Sequence, residues 1–143
     1  MDPYLQAAVE EAHKGVEEGG IPIGSVLVLD GKIVGCGHNR QAQSQRASAH
    51  AEMECIDSAG FLSSDQYRHS TLYTTLSPCY MCAGAIVFFK ITKVVIAENT
   101  NLQGAEDFLR SMGVEVVILN DPTCIKMLHE FDIQYPGRWM KGE

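Results

Sequence analysis

The sequence predicts a three-layer α/β/α sandwich around a five-stranded mixed sheet. Two observations carry this expectation. Segments with helical spacing alternate with short β-rich segments along almost the whole chain, which is the pattern of helices packed on both faces of a sheet. The first two strands are also separated by a tight turn, whereas the later ones are separated by helix-length segments. The sheet should therefore combine one antiparallel hairpin with parallel strands joined by right-handed crossovers.

Each element has its own signal. Residues 3–18 place Leu5, Ala8, Val9, Ala12 and Val16 on one helical stripe, and Gly19-Gly20 ends it. "IPIGSVLVLDGKIVGCGHN" reads as two strands around Asp30-Gly31, a dipeptide that accepts the positive φ angles of a tight hairpin turn. In "SAHAEMECIDSAG", Ala51, Met53, Cys55, Ile56 and Ala59 suit a short helix ending at Gly60, and "STLYTTL" at 70–76 reads as the third strand. "YMCAGAIVFFK", from Tyr80 to about Lys90, is apolar nearly all round and predicts a buried helix. "KVVIAE" and "VEVVIL" give strands four and five, with "GAEDFLRSMG" as the helix between them. Asp121-Pro122 supplies an N-cap and a first-turn proline for the last helix.

The 143 residues contain no repeat or low-complexity linker, so residues 1–143 read as one domain. No apolar run approaches the ~18 residues of a membrane-spanning helix, and the acidic, amphipathic amino terminus lacks a signal-peptide pattern. A cytoplasmic protein without a membrane partner is expected. The net charge of −7 opposes binding to a polyanion, although Arg40, Arg46, Lys90 and Lys93 are available for a local basic patch. Five cysteines are poor material for a disulfide framework. Cys36, Cys55 and Cys124 have apolar neighbours and are expected to be small core residues. His13, His38, His69 and His129 are expected to be ordinary surface or capping residues. Met81, Phe88 and Phe89 are expected in the core or at a subunit interface.

The remaining metal-type ligands are His50, Cys79 and Cys82. Pro78 favours a helix starting near Cys79, which puts the two thiols on one face of the first turn. His50 also precedes a helix. Three ligands leave a tetrahedral zinc ion with one open position, the mark of a catalytic site. A water there becomes acidic enough to act as a nucleophile near neutral pH. Glu52, two residues after His50, is spaced to move protons beside that water without binding the ion. Two other readings remain open on spacing alone. Cys79 and Cys82 suit a redox pair, and a fourth ligand such as Cys36, Cys55 or His38 would close a structural zinc site.

"His50-Ala51-Glu52" followed by "Pro78-Cys79-Tyr80-Met81-Cys82" resembles the H-x-E…P-C-x-x-C pattern of the zinc-dependent nucleobase and nucleoside deaminases. The stretches "EEGGIPIGSVLV", "TLYTTLSPC", "MCAGAI", "AENTN" and "GRWMKGE" are most similar to fungal free-base cytosine deaminases. The resemblance implies a cytidine deaminase-like fold, one Zn²⁺ per subunit and a homodimer. It implies His50, Cys79 and Cys82 as metal ligands and Glu52 as the proton shuttle. Asn39 would read the base edge, since an amide offers both a donor and an acceptor. Ile23, Ala51 and Ser77 would line the substrate pocket. Residues 135–143 would form a tail over the site, with Trp139 as its cover.

The departures concern the substrate. Ala51 replaces a glycine of the fungal enzymes, and Leu102 and Ala42 each replace a phenylalanine. A tail aspartate has no clear counterpart; Glu143 is the candidate substitute. The expected reaction is hydrolysis of a free nucleobase, cytosine giving uracil and ammonia. Guanine, another small aminated heterocycle or a nucleoside is the alternative substrate, followed by adenosine in transfer RNA. A zinc-stabilised interaction domain without activity is the reading from another class.

Overall fold

A computed structural model describes residues 1–140. Five strands form one sheet in the order β2-β1-β3-β4-β5. They are β1 (Gly24–Leu29), β2 (Lys32–His38), β3 (Ser70–Thr74), β4 (Lys93–Ile96) and β5 (Glu115–Ile118). β1 pairs antiparallel with both β2 and β3, and β3, β4 and β5 are parallel. β1 is thus the single reversed strand, as the hairpin predicts. Asp30 and Gly31 both adopt positive φ, 51° and 76°, so the turn follows the twist of the strands.

The helices are α1 (Pro3–Glu17), α2 (Gln41–Ser44), α3 (Ala51–Ala59), α4 (Ser64–Arg68), α5 (Tyr80–Phe88), α6 (Glu106–Ser111) and α7 (Pro122–Gln134). The short helices α2 and α4 are additions to the expected order. Asp2 caps α1 by accepting from the Tyr4 and Leu5 amides, and Asp121 caps α7 by accepting from the Cys124 amide. α1 and α7 share one face of the sheet, where Leu5, Val9, Ala97 and Cys124 pack together. On the other face α3, α5 and α6 bury Cys55, Ile56, Ala83, Ile86 and Leu109 against Leu27, Leu72, Val94 and Ile96. This is the three-layer sandwich.

Two glycines set the distance between α3 and the sheet. A Cβ on Gly35 would stand 2.6 Å from the Cys55 carbonyl oxygen, and one on Gly37 would stand 2.5 Å from the Cys55 amide nitrogen. Backbone therefore rests on backbone along β2.

Two expectations are corrected. Cys36 is exposed: β2 is an edge strand, and Cys36 alternates with the two glycines that face α3. The helix α5 is buried on one face only. Cys82, Ala83 and Ile86 point inward, while Tyr80 and Phe88 are 74% and 76% exposed. The single core beneath α5 has room for one side of it. His13, His69 and His129 are exposed. His38 is mostly covered instead, with Nδ1 at 3.0 Å from Glu11 Oε1 and Nε2 at 2.9 Å from Glu18 Oε1.

Candidate active site

Strands β2, β3 and β4 run in one direction, and their carboxyl ends release the segments that carry Asn39, Cys79 and Leu102. Ile23 lies just before β1, which runs the other way and so begins at the same end of the sheet. A cavity opens there with an empty volume of about 360 Å³, lined by Ile23, Asn39, Gln41, His50, Ala51, Glu52, Leu76, Ser77, Cys79, Leu102 and Trp139.

His50 is the N-cap of α3 and Cys79 the N-cap of α5, and neither uses its side chain to cap. Both side chains are thereby spared for each other. His50 Nδ1 lies 3.5 Å from Cys79 Sγ and 3.6 Å from Cys82 Sγ. Zn–N and Zn–S bonds of about 2.05 and 2.3 Å at a tetrahedral angle require an N···S separation of about 3.6 Å. The donor set fits zinc. It is the single such group of three or more His, Cys, Asp or Glu side chains among the described residues. Cys36, Cys55 and His38 lie outside it, so the three-ligand arrangement leaves the fourth position open.

The loop before Cys79 is held from behind. The Ser77 hydroxyl donates to Glu106 Oε2 at 2.7 Å and accepts from the Gly104 amide at 2.9 Å. The Ala105 amide donates to the Pro78 carbonyl at 2.8 Å. Glu98, fully buried, accepts from the amides of Thr100 and Asn101 and from the Asn101 side chain. That brace carries Leu102 to the cavity rim.

The metal-free electrostatics follow from burial. Glu52 is 4% exposed. Desolvation disfavours its charged form and pushes its pKa up to about 7. The hydrogen bond from Cys82 draws Cys79 down to about 4, and the same bond together with burial holds Cys82 far above the usual thiol range.

The structure brings Asn39, Ala51, Glu52, Ile23, Ser77, Leu102 and Trp139 to one cavity with two of the metal-type ligands, and Cys82 stands beneath it. Ser77 meets the cavity while its hydroxyl is engaged by Glu106 and Gly104. Trp139 is buried against Phe131, Leu128 and Ile21. Glu143 lies outside the described residues. Two lining residues escaped the sequence reading. Leu76 has only its strand-end position as a signal. Gln41 lines the cavity and its neighbour Ala42, which stands for a phenylalanine of the fungal enzymes, does not. α2 shows no apolar period that would reveal which way its residues turn.

A buried carboxyl beside a site built for one zinc ion with an open position defines a class, the hydrolytic metalloenzymes that activate water. The family described as the cytidine and deoxycytidylate deaminase zinc-binding region matches residues 2–98. A cytosine deaminase of Candida albicans is 45% identical over 136 residues, covering 94% of this chain and 91% of that one. A tRNA-specific adenosine deaminase of Bacillus subtilis is 47% identical over 93 residues, covering 64% and 58%. A solved structure from a study of A-to-I editing by tRNA:A34 deaminases is 28% identical, covers 87% and 98%, and has a TM-score of 0.73. The chain belongs to the cytidine and deoxycytidylate deaminase family and is a zinc-dependent hydrolytic deaminase with a site for one Zn²⁺.

Proposed function

We propose that the protein deaminates free cytosine to uracil and ammonia. The observation that carries this reading is the likeness to a cytosine deaminase over nearly the full length of both chains. The small cavity walled by Trp139 is consistent with a single base. Zinc, when bound, supplies a Lewis acid that makes a water nucleophilic. The chain's own residues do the rest. Glu52 takes a proton from the attacking water and delivers it to the ring nitrogen beside the amino-bearing carbon. It then passes the second proton to the departing amine. Asn39 holds the carbonyl and N–H edge of the base. Ile23, Ala51, Ser77, Leu102 and Trp139 enclose the ring, and Glu143 is the tail's candidate polar contact.

A second reading is transfer-RNA adenosine deamination, favoured by the 47% identity to such an enzyme over part of the chain. The net charge of −7 weighs against it, because phosphate contacts dominate RNA affinity. The outward face of α5, with Tyr80, Met81 and Phe88 exposed, supports a homodimer. No helix among the described residues is long and apolar enough to cross a membrane, in keeping with a cytoplasmic role.

The test is ammonia release from zinc-loaded protein offered cytosine, guanine or an anticodon stem-loop bearing adenosine. Release from cytosine alone is expected. Release from guanine or the stem-loop alone would replace the substrate and keep the chemistry.

A further inference from the structure

Asn39 and Gln41 border the same cavity and are locked to each other. Asn39 Nδ2 donates to Gln41 Oε1 at 2.9 Å. The Gln41 backbone amide donates to Asn39 Oδ1 at 3.1 Å. Gln41 Nε2 donates to the Ala47 carbonyl at 2.8 Å. The two ends of this chain of bonds are backbone groups whose polarity cannot change. The Gln41 amide has only a proton to give, so the Asn39 atom facing it must be the oxygen. The Ala47 carbonyl has only lone pairs, so the Gln41 atom facing it must be the nitrogen. Both side-chain amides are then fixed in one orientation, and each meets the other with donor to acceptor.

The backbone supports the same placement. The Asn39 amide donates to the Ile23 carbonyl and the Arg40 amide to the Ala49 carbonyl, both at 2.9 Å. Gln43 Nε2 donates to the Asn39 carbonyl at 3.1 Å. Asn39 therefore has little freedom except rotation of its side chain, which Gln41 restrains at both atoms: its backbone amide holds Oδ1 and its side-chain oxygen holds Nδ2.

We propose that Gln41 is a positioning residue that sets which way round Asn39 presents its amide, so that the site selects bases with an adjacent carbonyl and ring N–H. The proposal rests on the base-deaminase reading above. After the lock is made, Asn39 keeps one Nδ2 proton and one Oδ1 lone pair. That pair matches a carbonyl next to an N–H, the edge that free cytosine presents at C2 and N1. A base substituted at N1, as in a nucleoside, has the carbonyl and lacks the N–H. A flipped Asn39 would set donor against donor and acceptor against acceptor on the free base. Gln41 thereby acts on substrate choice through Asn39.

The test uses Gln41→Met, which is close in size, has neither side-chain amide group, and leaves only the backbone bond to Asn39 Oδ1 in place. The substrate-free readout is the Asn39 side-chain amide in ¹⁵N-labelled, zinc-loaded protein, assigned by its loss in Asn39→Asp. Wild type should show two well-separated, slowly exchanging protons, and Gln41→Met should show them shifted and exchanging faster. In the kinetic readout, Gln41→Met should raise the cytosine KM about tenfold with kcat changed less than about threefold. Its preference for cytosine over 1-methylcytosine should fall by a similar factor. A merely structural role would lower the melting temperature and leave that preference alone. Unchanged Asn39 amide signals and an unchanged cytosine KM in Gln41→Met overturn the proposal. If wild type releases no ammonia from any base, the function reading falls, and the amide spectrum still decides the lock.

Discussion

Gly37→Ala perturbs the site without touching a residue that lines it. The new Cβ would stand 2.5 Å from the Cys55 amide nitrogen, 2.7 Å from the Glu54 carbonyl carbon and 2.8 Å from Glu54 Cβ. Ordinary heavy-atom contacts lie at about 3.5 to 4.0 Å, so α3 has to retreat from β2 by about 1 Å. Two of these three atoms are backbone, which no rotamer change can move aside. Overpacking of this kind costs about 1–3 kcal/mol, and the melting temperature should fall by about 3–12 °C for a chain of this size. Glu52 and the cap residue His50 ride on the same helix. A displacement near 1 Å at a reacting group costs about 100-fold in rate. Gly37→Ala should therefore lose about two orders of magnitude in kcat while a folded majority remains. The assay is ammonia release alongside thermal melting and zinc content per chain. Wild-type melting and wild-type kcat would refute the claim that backbone contact along β2 places the proton shuttle.

Glu52→Gln should keep one zinc per chain and its melting temperature, and lower turnover by about 10²–10⁴; stripping zinc with a chelator should abolish ammonia release and re-addition should restore it. Ser77→Ala leaves the Glu106 carboxylate and the Gly104 amide without their shared partner, a loss of about 1–3 kcal/mol that should appear as a lower melting temperature with KM unchanged. A raised KM at unchanged stability would mean instead that the hydroxyl serves the substrate. Acid should destabilise the protein through His38. Burial works to raise the Glu11 pKa, but hydrogen bonds from His38 and Lys14 outweigh it, and the His38 hydrogen bond lowers Glu18 too. In the unfolded chain both carboxylates return to about 4.5 and bind protons more readily there. Their contribution is complete above that pH and is lost as pH falls through the folded values. Urea midpoints measured between about pH 6 and about pH 3 should drop less in His38→Ala than in wild type; an equal drop would place the acid sensitivity elsewhere.

The strands and the metal-type ligands were legible because their signals are local. Asp30-Gly31 fixes the hairpin, and the alternation of apolar strand and helix fixes the parallel half. Pro78 before Cys79 marks a helix start that gathers both thiols. Short elements were less legible. α4 begins with Ser63 and Gln66, whose side chains and amides form a reciprocal capping box, and that spacing was present to be read. α2 has no side-chain cap and ends at Gln45 in the left-handed region, so nothing in the sequence marks it. Gln41 was missed for that reason. Its meaning lies in a bond to Ala47 and a bond to Asn39, and neither follows from a pattern. Cys36 was misplaced because apolar neighbours along a chain do not reveal that a strand lies at a sheet edge.

The site is assembled from two halves that share no covalent proximity, and each is set by backbone resting on backbone. His50 and Glu52 belong to α3, whose distance from the sheet is fixed where Gly35 and Gly37 admit the Cys55 backbone. Cys79 and Cys82 belong to the start of α5, whose preceding loop is pressed against Gly104; a Cβ there would collide with the Pro78 carbonyl. Side-chain packing adapts to small changes by shifting rotamers, but a contact between two backbones has no such slack. A metal site asks for this stiffness. Ligand atoms must hold their separations to within a few tenths of an ångström, and a proton shuttle must stand beside a water it does not bind. Glycines at the two contacts allow the halves to meet at that tolerance, and Asn39, pinned by Gln41 between them, gives the cavity its polar edge.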